Sequence, residues 1–230
     1  MSTHQKRILA PTSGPETWKQ FLAKPEKHWK PLHSAMSMAY SWEKSFGLPS
    51  EIAMLFKSAK DVAFHDVELA LAIPEYKVNL EGGERPSQND VFALLTCSGG
   101  LISMTVEGKA TEDFDGKLGS WKKRTSKNGV DLRLGQIMAK LGLKTAIPDR
   151  IKYQLLHRTA SSVIEAERFH APYAVVVVQS FVTDDSRNHY DDFCEFIQMF
   201  GKIPSKNTLI EISKPCGKRL FAAWVQSEPT

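Results

Sequence analysis

Four consecutive valines, Val175–Val178, lie inside the stretch YAVVVVQSF (Tyr173–Phe181). Side chains of a strand point alternately to its two faces, so an unbroken apolar run implies that both faces are covered. A chain with such a strand has to supply helices for both sides of a sheet. The segment just before it fits one of them. From Asp149 to Phe169, Tyr153, Leu156, Ala160, Val163 and Ile164 recur as one apolar helical stripe, and Pro172 closes the segment.

The rest of the chain reads as the remaining layers. Residues 1–32 carry Pro11, Pro15 and Pro25 among many charges, and predict an irregular N-terminal arm with one short helix near Trp18–Ala23. Residues 33–230 read as one domain. Ala35, Met38, Ala39 and Trp42 are spaced as a helix with Ser34 as its N-cap, and a second helix follows Ser50. Val67–Leu80 reads as extended, with Pro74 marking a break or an edge position. VFALL from Val91 and LISMTVEGKA from Leu101 flank TCSGG, a hairpin signal. Residues 111–150 form a basic insertion, read as a long loop to about residue 130 and a short helix over Asp131–Leu141. A helix over Tyr190–Phe200 and a terminal hairpin, Thr208–Ser213 with Arg219–Gln226, complete the order. The fold class expected is a single α/β domain: a mixed central sheet flanked by helices, with a C-terminal β-hairpin.

Bulk properties exclude several classes. Hydrophobic residues make up 42% and charged ones 24%, as in a soluble globular chain rather than a disordered one. No run of ~18 apolar residues is present, so no membrane-spanning helix is expected. Cys97, Cys194 and Cys216 are too few and too scattered for a disulfide framework or a metal finger, which points to a reducing, cytoplasmic setting. The net charge of +4 permits a polyanionic partner without requiring one.

The chemistry gathers where LISMTVEGKA ends. Ile102, Met104, Val106 and Gly108 share one face of that strand, and Ser103, Thr105, Glu107 and Lys109 share the other. Glu107 and Lys109 are therefore side by side, either as a solubilising surface pair or as part of a site. A turn centred between Ser98 and Gly99 places Asp90 opposite Glu107, for a loop of two or of four residues. Facing residues have Cβ atoms ~4.5–5.5 Å apart, so two carboxylates there repel unless a cation lies between them. Their hard oxygens suit a divalent metal, and Lys109 adds a positive charge on the same face.

Asp90, a hairpin and then Glu107-Gly108-Lys109 resembles the core of the PD-(D/E)xK nuclease superfamily, the restriction-endonuclease-like fold. The likeness runs from the helix at Ser34 to the strand ending near Phe181. PSQNDVFALL, VEGKA and YQLLHRTASSVIEAERF look closest to an uncharacterised bacterial family of stand-alone proteins within that superfamily. The chain departs from the pattern at Pro86-Ser87-Gln88-Asn89-Asp90, where proline does not directly precede the acid, and in the insertion after Lys109.

The resemblance implies a Mg²⁺- (or Mn²⁺-) dependent endonuclease acting on nucleic acid, DNA above all. Asp90, Glu107 and the Gly108 carbonyl would hold the metal, and Lys109 would assist the attacking water and the developing charge. An acid from the first helix would complete the catalytic set; Glu43 is the first candidate and Glu68 the second. A catalytically inactive nucleic-acid-binding or protein-interaction module on the same fold is the alternative.

Gln154 and Arg158 lie i, i+4 on one helix face, either reaching the active centre and its phosphate or simply solvated. Trp121-Lys122-Lys123-Arg124, with Lys117 and Lys127 nearby, is the densest basic run. It reads as a phosphate-gripping, base-stacking substrate contact or as an exposed loop. A homodimer is compatible with double-strand cutting, and the stripe Phe193, Phe196, Ile197, Phe200 reads as core or a dimer face. Glu75-Tyr76-Lys77 also spells ExK, but no hairpin joins it to an upstream strand-opening acid, so it is set aside.

Overall fold

A computed structural model describes residues 7–83, 85–181 and 189–229. Six strands form one mixed sheet: β1 (Glu68–Val78), β2 (Ser87–Cys97), β3 (Gly100–Lys109), β4 (Tyr173–Ser180), β5 (Ile210–Ser213) and β6 (Arg219–Gln226). Their spatial order is β1-β2-β3-β4-β6-β5. β1, β2 and β3 form an antiparallel meander, β4 runs parallel to both β3 and β6, and β5 closes the sheet as the antiparallel partner of β6. The sheet, its helical cover and the C-terminal β-hairpin are those the sequence predicts.

The four valines lie in the middle of this sheet. Val175 and Val177 belong to one core and Val176 and Val178 to the other. The first core packs under α2 (Ser34–Lys44) and α3 (Ser50–Lys57). The second packs under α5 (Lys127–Leu141), α6 (Tyr153–Arg168) and α7 (Tyr190–Gln198). Phe193, Phe196 and Ile197 are fully buried in that second core, which makes the stripe core rather than an open face. Pro74 lies in β1, an edge strand, where its missing N–H breaks no central ladder.

Three local expectations are corrected. The N-terminal arm, of which residues 7–32 are described, holds two short helical turns, a 3-10 helix Pro15–Phe21 and α1 (Pro25–His28). It is pinned to the domain by the buried Trp18 and by a bridge from Ile8 to Ala72. Ser34 is not the cap of α2: its backbone N–H donates to the Glu112 carboxylate (2.9 Å), which supplies the missing acceptor from a distant segment. Most of the stretch from 118 to 130 is helical rather than loop, holding α4 (Leu118–Lys123) and the start of α5. Ser126 caps α5 by accepting from Gly129 N (3.2 Å), and the buried Leu118, Ile137 and Leu141 reward helix formation despite the Gly- and Lys-rich composition.

Candidate functional site

The β2–β3 register runs from Cys97↔Gly100 to Val91↔Val106, so Ser98-Gly99 is a two-residue loop and the next step brings Asp90 to Glu107. The polar face of β3 is not a surface. Ser103 donates to the Ser162 carbonyl (2.8 Å) and Thr105 to the Arg158 carbonyl (3.0 Å), and both docking contacts are to α6. Beyond these rungs Glu107 and Lys109 are only 2% and 5% exposed, so a solubilising surface pair is ruled out. Gly108 points to the opposite face, where a Cβ would come within 2.6 Å of Met38 Cγ from α2. Its N–H donates to Asp90 Oδ2 (2.7 Å). In an extended strand the N–H and C=O of one residue leave on the same edge, so the Gly108 carbonyl also faces Asp90, past the end of the ladder.

Glu107 is the centre of a buried ionic cluster. Its Oε1 accepts from Lys109 Nζ (2.8 Å) and Gln154 Nε2 (2.6 Å), and its Oε2 accepts from Arg158 Nε (2.6 Å). The i, i+4 pair on α6 therefore reaches the site and is not solvated. Arg158 also donates to Ser87 Oγ (3.1 Å), and Ser87 bonds the His157 ring (2.8 Å). Burial pushes the Glu107 carboxyl up, but the charges and hydrogen bonds of Lys109 and Arg158 outweigh it, holding the carboxyl below its usual value. His157 is held neutral, first by burial and then by the neighbouring Arg158.

A third carboxylate joins the cluster, and it is the ExK glutamate that the sequence led us to set aside. Pairs Pro74↔Val91 and Tyr76↔Asn89 flank Glu75, which places it beside Asp90 across β1 and β2. Glu75 has a φ of 52°, left-handed backbone that a non-glycine residue adopts at a cost of order 1–3 kcal/mol. Its Oε2 accepts from Gln88 Nε2 (2.6 Å). Burial, opposed by the Gln88 hydrogen bond and Arg158 and reinforced by Glu107, pushes its carboxyl up to about 7. Burial, then the charges of Glu107 and Glu75, push Asp90 well above the usual carboxylate range. Three carboxylates thus face two buried cations, with the exposed Lys77 acting on Glu75 from outside, and the deficit falls on Asp90 and Glu75. The only sequence signals for Glu75 were its register against Asp90 and a strand interrupted at Pro74.

Other candidates lie elsewhere. Glu43 Oε1 accepts from the Trp18 indole (2.9 Å), and α2 packs on the sheet face opposite to that carrying Glu107. Glu68, at the far end of β1, pairs with Thr96. Lys122 binds Asp149 (2.6 Å) and Lys123 is exposed on α4. Trp121 and Arg124, however, line a cleft of about 930 Å³ that Ser87, Gln88, His157 and Arg158 also line. The cluster therefore backs onto an open, basic cavity.

A hard dication suits the donor chemistry here. Asp90, Glu107 and the Gly108 carbonyl offer oxygen donors, and the raised acids mark a deficit of positive charge. Among the described residues, no three His, Cys, Asp or Glu side chains are arranged to ligate one ion.

Fold and site together define an α/β protein with an acid-rich ionic cluster where β1, β2 and β3 meet the N-terminal half of α6. The chain belongs to the family described as domain of unknown function DUF6946, which it matches over residues 11–229. No curated protein and no solved structure matches it. Among the described residues no helix is long and apolar enough to cross a membrane.

Proposed function

We propose that the protein is a metal-dependent nuclease of the PD-(D/E)xK type that hydrolyses phosphodiester bonds, with DNA as substrate. The observation that carries this reading is the buried set Asp90, Glu107 and Lys109, short of positive charge and separated from a basic cleft only by residues such as Arg158 that bond the set and line the cleft. Asp90, Glu107 and the Gly108 carbonyl would hold Mg²⁺ or Mn²⁺, with Glu75 beside them. A bound dication supplies Lewis-acid polarisation of the phosphoryl oxygen and acidifies a water. Lys109, fixed by Glu107 and by the Phe114 ring (Nζ 4.7 Å from its centroid), orients the attacking water and stabilises charge developing on the phosphoryl oxygens. Gln154 and Arg158 hold Glu107 in one rotamer. A substrate phosphate would compete with Glu107 for Arg158.

One observation favours the second reading, a nucleic-acid-binding module without catalysis. Both Glu107 oxygens are already engaged, so a metal has to share Glu107 with its present partners.

Stability against pH separates the two. An acid whose folded pKa is raised contributes stability that is full below its unfolded pKa and is lost as pH rises through the folded value. For Glu75 that loss runs from about 4.5 to about 7, and Asp90 extends it upward. His157, held neutral, acts in the opposite direction only below about pH 6.5, so the window from roughly pH 6.5 to 8 isolates the acids. In EDTA, the protein is expected to lose stability across this window, read as a falling Tm. Millimolar Mg²⁺ or Mn²⁺ should restore it at about pH 8, and the Asp90→Asn variant should not respond. A wild-type Tm indifferent to both ions contradicts the nuclease reading.

A further inference from the structure

The cleft beside the cluster has walls that the hydrolytic chemistry does not use. Trp121 and Tyr153 stack on one another there, with ring centroids 4.2 Å apart and planes 12° from parallel, and His157 lies tilted by 54° against Tyr153 at 4.8 Å. Among the described residues, Arg85, Arg124, Arg133 and Arg158 line the same space against one acid, Asp115. Arg133 is buried and donates to the carbonyls of Glu81 and Arg85, which ties those two positions to α5 on the opposite wall. Gly82 closes that wall on α5. Its φ is 70°, and a Cβ there would lie 2.3 Å from the Gly129 carbonyl oxygen. Arg158 and Gln88, which bond Glu107 and Glu75 of the cluster, also line the cleft.

We propose that this cleft binds unpaired nucleotides, so that the substrate is a single-stranded polynucleotide or a single-stranded segment of one. The proposal rests on the nuclease reading for its chemistry but not for its binding. In a duplex, each base face is covered by its neighbours, and a recessed aromatic column cannot reach it. An unpaired base extends the Trp121–Tyr153 column, which is the sequence-tolerant platform of single-strand binders, while arginines take the phosphates. About 930 Å³ lies in the range of small-ligand pockets of roughly 300–1,000 Å³, and so suits a nucleotide or a few rather than a helix. A phosphate of the same strand bound at Arg158 would sit next to the residue that holds Glu107.

The test is fluorescence anisotropy in EDTA with one labelled oligonucleotide sequence as single-stranded DNA, single-stranded RNA and duplex DNA. Single strands should bind on the order of tenfold or more tighter than the duplex, and the DNA and RNA arms identify the natural strand. Trp121→Ala should weaken single-strand binding roughly tenfold, Trp121→Phe should recover most of it, and Arg124→Ala, at an exposed position, should weaken it and flatten its salt dependence. Equal or tighter duplex binding overturns the proposal, as does single-strand affinity unchanged in Trp121→Ala and Arg124→Ala. Strand-selective binding with no cleavage in Mg²⁺ or Mn²⁺ leaves the proposal standing and fails the nuclease reading. Metal-dependent cleavage of duplex with no strand preference does the reverse.

Discussion

Arg158→Met is expected to destabilise the protein by about 3–5 kcal/mol at neutral pH, the usual cost of breaking one side of a buried ion pair. The arginine is 8% exposed and holds Glu107 Oε2 at 2.6 Å and Ser87 at 3.1 Å. Without it Glu75, Asp90 and Glu107 keep Lys109 as their buried cation, with only the exposed Lys77 acting on Glu75. The variant's acids must then rise further, so its deficit against wild type should widen as pH rises through neutrality. Urea denaturation at about pH 5.5 and about pH 8 measures both effects. A loss below about 1 kcal/mol at either pH would mean that water already solvates the cluster.

Asp90→Asn should separate stability from chemistry. The asparagine Oδ1 can still accept the Gly108 N–H, and the substitution removes a carboxylate whose charged form burial, Glu107 and Glu75 already disfavour. Folding stability at neutral pH is therefore expected to hold or to rise. Metal-dependent cleavage is expected to fall on the order of a thousandfold, because losing a metal-holding oxygen forfeits several kcal/mol of transition-state stabilisation. Paired denaturation and single-turnover cleavage give the two numbers. A variant as active as wild type removes Asp90 from the site.

How much of this was legible beforehand differs from residue to residue, for physical reasons. The valine run fixed the buried strand because double-faced burial leaves few other readings. The Asp90–Glu107 juxtaposition followed from strand alternation and a tight turn, both of which are local rules. The role of Arg158 and Gln154 was half visible: helical spacing put them on one face, but only packing decides which face meets β3. Glu75 was misjudged because its place depends on a second strand register and on a left-handed residue inside β1. The helices α4 and α5 were missed in part because local composition argued for a loop while burial of Leu118 and Ile137 argued against it. Ser34 reads as a cap in the sequence because the true acceptor, Glu112, is distant along the chain.

Lys109 carries the central claim, since a structural ion pair and a catalytic lysine predict opposite outcomes for its loss. The deciding measurement incubates supercoiled plasmid and circular single-stranded DNA with wild type and with Lys109→Met, in Mg²⁺, in Mn²⁺ and in EDTA. Circular dichroism shows whether the variant remains folded. Wild type is expected to cleave with either ion and not in EDTA, and a folded Lys109→Met protein is expected not to cleave. DNA left intact by wild type in both ions, or cut equally by Lys109→Met or in EDTA, would contradict the claim.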